Sequence, residues 1–169
     1  TAEYLDYYCV LHNYAGGGFF FESACHTLDF LDFVFGPIGQ IRGFADNQAG
    51  AYRPEDVVTA GYRFESGVYG NGTFCYAADR DDEMNEIIGA EGRILFSTTK
   101  AVPIRVMRGD AVDAIPVDDP PHVHQPLIQS IVDELNGRGT CASTGESAAR
   151  TTRVIDEILR EYRAASRCR

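Results

Sequence analysis

Three side chains near the start of the sequence have types and spacing that suit acid–base chemistry. Glu22, His26 and Asp29 lie at positions i, i+4 and i+7 of a predicted helix, so two carboxylates and an imidazole share one face. A neighbouring carboxylate fixes the imidazole tautomer and stabilises the imidazolium, as a general acid or base requires. The alternative is an ordinary solvated face, since acidic residues are common in a first helical turn. Spacing alone favours this simpler alternative.

Other kinds of site find less support in the sequence. Glu22 and His26 would supply two metal ligands from one helix, but no other His, Cys, Asp or Glu cluster has a matching spacing, so we predict no metal site. Gly16-Gly17-Gly18 precedes the helix without the strand, lysine or third spaced glycine of a phosphate-binding loop. Cys25 and His26 are adjacent, which on a helix turns their side chains about 100° apart and disfavours a nucleophilic pair.

Helices and strands that could position these residues follow from the hydrophobic period, which is helical, then alternating, then helical again. The stripe of Phe20, Ala24, Leu28 and Leu31 predicts a helix from Phe19 to Phe35, which Gly36-Pro37 ends. Between residues 39 and 117 the alternation predicts three consecutive hairpins. Their strands are Val57–Phe64 with Val68–Tyr76, Glu86–Ile88 with Arg93–Phe96, and Ile104–Met107 with Ala111–Val112.

Two further helices are predicted near the end of the chain. The first runs from about His122 to Asn136, and the second opens at a capping box formed by Ser143 and Glu146. We therefore predict one α+β domain over residues 1–169, with an open antiparallel or mixed sheet of about six strands and the helices packed on one face. The other sheet face would be solvated or paired with a second subunit.

Composition and charge exclude several classes of protein. The 169 residues include 25 acidic and 15 basic side chains, and the net charge of -10 repels nucleic-acid phosphates and anionic lipids. No apolar run approaches the roughly 18 residues of a membrane span, and the first residues lack the order of a signal peptide. The 5 cysteines form no C-x-x-C pair and are interpreted as reduced thiols. We expect a cytoplasmic protein with neither nucleic acid nor a membrane as its partner.

Four segments, in order, resemble the C-terminal domain of Gfo/Idh/MocA-type oxidoreductases, the glucose–fructose oxidoreductase and inositol dehydrogenase group. In the family, the first of these segments is a Gly-Gly-Gly run followed by a helix with the motif Asp-x-Gly-x-His-x-x-Asp. The resemblance covers about residues 16 to 163. The four segments are Gly16–Asp29, Glu86–Ile94, His122–Leu135 and Ser143–Thr151.

The resemblance implies an enzyme in which an N-terminal Rossmann domain binds NAD or NADP and the C-terminal domain contacts a sugar, inositol or related polyol. It also implies a homo-oligomer formed through the open sheet face. The family's helix histidine, which acts in proton transfer or orients the reacting hydroxyl, corresponds to His26. The aspartate four residues earlier, which contacts substrate or histidine, corresponds to Glu22, and Asp29 is expected to support them.

The sequence departs from the family pattern in ways that affect the prediction. Glu22 replaces the aspartate and Ala24 replaces a glycine. We also expect these 169 residues to lack the Rossmann domain and with it the family's Glu-Lys-Pro lysine, a motif that Lys100 does not match. We therefore expect a substrate-binding and oligomerisation domain of an NAD(P)-dependent oxidoreductase that holds no cofactor and is inactive when isolated. The alternative is a stand-alone, non-catalytic assembly or ligand-binding module.

Overall fold

The computed structural model describes residues 18–166, in which three helices and seven strands occur. The N-terminal helix has the predicted bounds, and all three predicted hairpins are present. The elements are α1 (Phe19–Phe35), β1 (Ile38–Asp46), β2 (Val57–Phe64), β3 (Tyr69–Cys75), β4 (Asn85–Gly89), β5 (Gly92–Phe96), β6 (Ile104–Arg108), β7 (Ala111–Ile115), α2 (Gln125–Leu135) and α3 (Gly145–Ser166).

The strands form two sheets in which every pairing is antiparallel. One sheet has the order β1-β2-β3 and the other β4-β5-β6-β7. The predicted α+β class is therefore confirmed, whereas the strands divide between two sheets instead of sharing one of about six. Local alternation and turn residues specify each hairpin, but they carry no information about which hairpins pair side by side.

Residue contacts divide the chain into two compact units. The first comprises the chain up to Asp79 together with the segment from Thr144, and the second is Arg80–Ser143. The first unit therefore contains α1, the three-stranded sheet and α3, and the second contains the four-stranded sheet and α2. That residues 1–169 act as one domain remains a prediction.

The core of the first unit lies between the sheet and two helices. In β2 the side chains alternate strictly, so that Val58, Ala60, Tyr62 and Phe64 face the core while Thr59 and Arg63 face outward. The helices contribute one stripe each, as the hydrophobic period of α1 predicts. The buried helix residues are Phe20, Ala24, Leu28, Val154, Ile155, Ile158 and Leu159.

The last helix is capped one residue later than predicted. Instead of Ser143 and Glu146, the reciprocal bonds join Thr144 and Ser147: the Ser147 N–H donates to Thr144 Oγ1 at 3.3 Å, and the Thr144 N–H donates to Ser147 Oγ at 3.0 Å. The predicted capping box is wrong because a second Ser/Thr pair, offset by one residue, provides the same geometry and leaves Glu146 exposed.

Helix α2 in the second unit keeps its apolar side chains exposed. Leu127, Ile131 and Leu135 recur at every fourth position, yet no residue of the helix is buried. Packing of helices on one sheet face is thus seen for α1 and α3. The helix ends as the sequence indicates, because Gly137 adopts a positive φ and its N–H donates to the Glu134 carbonyl at 2.9 Å.

One carboxylate organises the loop after β5 in the second unit. Glu83 accepts hydrogen bonds from the side chain of Ser97 and from the backbone and side chains of Thr98 and Thr99. Burial opposes ionisation of Glu83, but these donors outweigh it and lower the pKa of the carboxyl from 4.5 to about 2. Ionised Glu83 therefore holds the loop in place.

A glycine substitution tests the packing of the three-stranded sheet. A Cβ on Gly70 would overlap the ring of Tyr62, which is packed edge-to-face against Phe64 at 5.6 Å. We expect Gly70→Ala to lower the free energy of unfolding by about 1–3 kcal/mol in urea denaturation, because the buried ring must move. Gly61→Ala is the matched control: its Cβ would meet open space, and the change stays within about 0.5 kcal/mol. Equal effects of the two changes would contradict this packing.

A pH series tests the Glu83 cluster. Because the folded-state pKa lies below the ordinary value of 4.5, ionised Glu83 stabilises the fold fully above pH 4.5, and this contribution is lost as the pH falls toward about 2. Glu83→Gln should therefore lower the urea midpoint at pH 7, and its difference from wild type should shrink as the pH falls below 4.5. Glu91→Gln, in the exposed turn between β4 and β5, should match wild type throughout.

Candidate functional site

Helix α1 places the three predicted site residues on its outer side. Glu22 and His26 are exposed and Asp29 is half-buried, while Phe20, Ala24 and Leu28 on the opposite side are fully buried. The buried stripe fixes the rotation of the helix, so the outward position of His26 follows from the packing of α1. Within residues 18–166 no hydrogen bond joins Glu22 to His26, which leaves both side chains available to a ligand.

Apolar side chains continue the same outer side of α1. Phe30 and Phe33 follow His26 at i+4 and i+7, and both are exposed; Phe33 keeps 67% of its surface in solvent. We call this outer stripe of Glu22, His26, Asp29, Phe30 and Phe33 the α1 face. Titratable groups beside exposed aromatic rings are typical of surfaces that bind ligands or other protein parts.

Asp29 is tied to helix α3 by a hydroxyl. Thr151 Oγ1 lies 3.1 Å from Asp29 Oδ1 and 3.2 Å from the Ser147 carbonyl oxygen, so its single proton has two acceptors. Thr151 itself is buried. The sequence predicted Asp29 as a support for His26, and the structure adds that α3 orients this carboxylate.

A second carboxylate, one turn further along α1, forms the firmest link between the helices. Asp32 is only 7% exposed. Arg150 donates two hydrogen bonds to its carboxylate, from Nε to Oδ1 at 3.2 Å and from Nη2 to Oδ2 at 2.6 Å. A fork-to-fork pair of this kind fixes orientation as well as distance. Asp29 and Asp32 are thus both held by neighbouring residues of α3.

Cys25 does not form a nucleophilic pair with His26. Its Sγ donates to the Glu22 carbonyl oxygen at 3.0 Å, and burial raises the pKa of the thiol. A protonated, hydrogen-bonded thiol is a poor nucleophile, in agreement with the sequence interpretation. Cys25, Cys75 and Cys141 are free thiols in the described residues, whereas Cys9 and Cys168 lie outside them.

The start of α1 adjoins a group of buried carboxylates and tyrosines. Glu55 is 3% exposed, and its Oε1 lies 3.4 Å from where a Cβ on Gly18 would be, beside the positive end of the helix. Burial, together with the nearby Asp56 and Glu55 carboxylates, raises the pKa of Tyr52, and burial raises the pKa of Tyr76 to about 12. Both phenols are therefore protonated at neutral pH.

The glycine run that precedes α1 has a packing role at its last member. A Cβ on Gly18 would come within 2.5 Å of the Pro54 side chain, so no larger residue fits where the helix begins. Gly16 and Gly17 lie outside the described residues.

Residues 18–166 contain neither a cluster of metal ligands nor a Rossmann-type dinucleotide-binding fold. Among residues 18–166, no three His, Cys, Asp or Glu side chains are close enough to hold a metal ion. The sheets in this range are entirely antiparallel, whereas a dinucleotide-binding fold needs parallel strands joined by a crossover helix. Lys100 forms an ion pair with Asp81, with Nζ 3.1 Å from Oδ2.

No helix within residues 18–166 has the length and apolar character needed to cross a membrane.

Two concavities of the first unit lie away from the α1 face. They have volumes of about 1060 Å³ and 390 Å³, and β1 and α3 line both of them. Neither is lined by Glu22, His26 or Asp29. The predicted site is therefore an exposed helical face, and it is not enclosed within the described residues.

Sequence reasoning missed the residues that brace this face. Arg150 and Thr151 stand 118 and 122 positions from their carboxylate partners, and no local pattern connects such distant residues. Glu55 was missed as well, because a single carboxylate before a strand resembles any loop residue. The one available signal was the spacing of Asp29 and Asp32. It places two carboxylates close together on a helix that packs against the rest of the fold, and such carboxylates need hydrogen-bond donors nearby.

Comparison with known proteins assigns the family. The model of the GFO/IDH/MocA C-terminal domain matches residues 10–95, which include α1, the three-stranded sheet and the β4–β5 hairpin. The chain belongs to this family, as its four motifs predicted.

Individual relatives are oxidoreductases. A curated relative, oxidoreductase P35 of Formosa agariphila, is 28% identical over 144 residues, covering 84% of this chain and 43% of the relative. An oxidoreductase from Thermotoga maritima has a similar fold, with a TM-score of 0.70, 20% identity and coverage of 85% of this chain and 42% of that protein.

A dehydrogenase from Bordetella pertussis, WlbA, solved in complex with NADH and UDP-GlcNAcA, also has this fold. Its TM-score is 0.60 at 18% identity, with 88% of this chain and 44% of that protein covered. This chain therefore spans less than half the length of the relatives it matches.

A substitution of Thr151 tests whether its hydroxyl holds Asp29 on the α1 face. Thr151→Val keeps the shape of the side chain but removes the donor to Asp29, and we expect it to lower the free energy of unfolding by about 1–2 kcal/mol in urea. Thr152→Val is the matched control, because Thr152 is exposed and bonds only the Ala148 carbonyl. Its effect should stay below about 0.5 kcal/mol. If both changes have the same small effect, Thr151 does not hold Asp29.

Proposed function

We propose that this chain is the substrate-binding part of an NAD(P)-dependent oxidoreductase that acts on a sugar, inositol or related polyol. The observation that carries the proposal is the α1 face: His26 points outward between Glu22 and Asp29, on the helix where the family motif lies. A solvated helix face alone would not need aromatic residues beside the histidine or a brace on Asp29. Both features suit a surface that binds a ligand in a defined orientation.

His26 is proposed as the catalytic acid–base residue. An imidazole nitrogen of His26 takes the proton from the hydroxyl that is oxidised, and returns it in the reverse direction. Glu22, one turn earlier, is placed to accept hydrogen bonds from substrate hydroxyls, and its extra methylene extends this reach beyond that of the family's aspartate. Asp29 orients the histidine or the substrate while Thr151 limits its movement.

The cofactor is proposed to bind outside residues 18–166. Structurally similar proteins include ones solved with NAD+, NADH or NADP+, which supports NAD or NADP as the cofactor of the whole enzyme. The protein solved with NADH also holds UDP-GlcNAcA, and a further similar protein is a UDP-N-acetylglucosamine 3-dehydrogenase, which supports a carbohydrate-type substrate. The isolated chain is therefore proposed to be inactive.

The alternative remains a stand-alone, non-catalytic assembly or ligand-binding module. The replacement of the family's aspartate by Glu22 favours it, because a longer side chain alters the substrate pocket. The reading frame upstream of Thr1 separates the two proposals. A strand–Gly-x-Gly-x-x-Gly–helix unit there supports the enzyme, and its absence supports the module.

Association through the open face of the three-stranded sheet also remains a proposal. Phe44 and Tyr69 are both 76% exposed on this face. Most aromatic residues of the β2–β3 hairpin add no apolar surface to this face, because Tyr62 and Phe64 are buried and Phe74 packs against the core. The open face is thus only sparsely apolar.

A histidine substitution tests the catalytic assignment. In a full-length protein that carries a dinucleotide-binding domain, His26→Asn should lower kcat about 10²–10⁴-fold, because the proton acceptor is lost. Rates of NAD+ and NADP+ reduction would be measured with UDP-N-acetylglucosamine, myo-inositol and D-glucose. His124→Asn, in the second unit, is the matched control and should leave kcat unchanged. An unchanged kcat for His26→Asn would show that His26 is not the acid–base residue.

A fluorescence titration tests the proposed location of the cofactor site. The 169-residue chain alone should give no saturable NADH signal, because its antiparallel sheets offer no site for the pyrophosphate at a strand-to-helix turn. Saturable binding in the micromolar range would overturn this part of the proposal.

A further inference from the structure

Strand β1 has a free edge in the first unit. Among residues 18–166 it is paired on one side only, with β2, and it contains neither proline nor lysine, the residues that commonly protect an exposed edge. Beyond the irregularity between Ile38 and Gln40, the strand continues regularly to Asp46. Its other side has no strand partner in this range, and Arg42 Nη1 donates to the Ile41 carbonyl oxygen at 2.8 Å.

Charge is distributed in order along this edge. The larger concavity, about 1060 Å³, is lined by Pro37 and the first half of β1, by the first half of α3, and also by residues of β2 and β3. The smaller, about 390 Å³, is formed where residues 43–47 meet the second half of α3. Strand and helix therefore run in the same direction past both concavities.

The first concavity is rich in arginine. Four arginine residues line it, against Glu65 and Glu157; of these groups Arg150 is already paired with Asp32 at 2.6 Å, and Glu157 with Arg160 at 2.8 Å. The second concavity contains carboxylates but no lysine or arginine, its charged residues being Asp46 and Glu161. The β1–α3 edge thus has a basic end and an acidic end. The four arginines of the basic end are Arg42, Arg63, Arg150 and Arg153.

We propose that β1 of a second copy of this chain pairs with this edge in antiparallel orientation, about a two-fold axis at Phe44. Antiparallel pairing places the basic end of each copy against the acidic end of the other, whereas parallel pairing would juxtapose like charges. The surface is therefore self-complementary in one orientation only, as a two-fold interface requires.

The register follows from the charges of β1. Arg42, Phe44 and Asp46 alternate with the inward-facing Ile41, Gly43 and Ala45, so the three side chains lie on one face of the sheet. With Phe44 at the axis, Arg42 lies opposite Asp46 of the partner subunit, Asp46 lies opposite Arg42 of the partner subunit, and the two Phe44 rings meet. Cross-strand charged and aromatic pairs of this kind are the favourable units of sheet pairing.

A second copy explains the edge better than an unrelated peptide does. The chain carries a net charge of -10, so two copies repel each other unless opposite charges meet locally. Arg42 and Asp46 provide that local match at two symmetric positions. The pairing joins two three-stranded sheets edge to edge and leaves their open faces uncovered, so it differs from association through the open face and does not depend on the proposed enzymatic function.

Charge reversal with sedimentation velocity tests the proposal, under reducing conditions because Cys75 is exposed. The wild-type chain should form a dimer. Arg42→Asp and Asp46→Arg should each raise the dissociation constant of the dimer at least tenfold, because like charges then face each other. The double variant should dimerise like wild type. An equimolar mixture of the two single variants should also dimerise, because both cross-strand pairs are then complementary.

The double variant and the mixture keep the test independent of folding, and thermal unfolding monitors each single variant. Asn71→Asp, on the open face of β3 and outside both concavities, is the matched control and should leave the dimer intact. A wild-type chain that stays monomeric up to about 100 µM overturns the proposal. So does loss of the dimer in Asn71→Asp with retention in Arg42→Asp, or a mixture of single variants that remains monomeric.

Discussion

The ion pair between Asp32 and Arg150 determines how helix α1 lies against helix α3. Asp32 is buried in the helix interface, and without the guanidinium its carboxylate would be left without its charged partner. The two-pronged geometry fixes rotation as well as spacing, and with it the direction in which the other side of α1 points. The pairing acts together with the buried stripe of α1, which turns His26 outward, and with Thr151, which donates to Asp29.

The same region shows what local sequence can and cannot predict. The bounds of α1, Phe19–Phe35, and the hairpins followed from periodicity, because each depends on residues near one another in sequence. The division into two sheets did not, since the pairing of hairpins depends on distant contacts that alternation does not record. The capping of α3 failed by one residue because Ser143 and Thr144 are both competent caps. Local chemistry identified the type of element more reliably than its end.

For the candidate site, spacing predicted the shared face of Glu22, His26 and Asp29, and the structure places them on one outer side of α1. The bracing by Arg150 and Thr151 could not be predicted, because it joins residues more than a hundred positions apart. Glu55 was equally hidden, since its importance arises from burial beside the start of α1. The local sequence thus identifies the groups proposed to contact a ligand, whereas the groups that hold them in place are seen only in the fold.

The Thr151 hydroxyl allows the Asp29 carboxylate to exchange its hydrogen-bond donor, which the Asp32 carboxylate cannot do. The hydroxyl oxygen lies 3.1 Å from Asp29 Oδ1 and 3.2 Å from the Ser147 carbonyl oxygen. When Asp29 turns toward another donor, the hydroxyl donates to the carbonyl instead and no buried donor is left unpaired, so the penalty for an unmade hydrogen bond does not arise. Asp32, gripped by two N–H groups, has no such exchange available. One helix therefore carries a stationary carboxylate and a releasable one, a single turn apart.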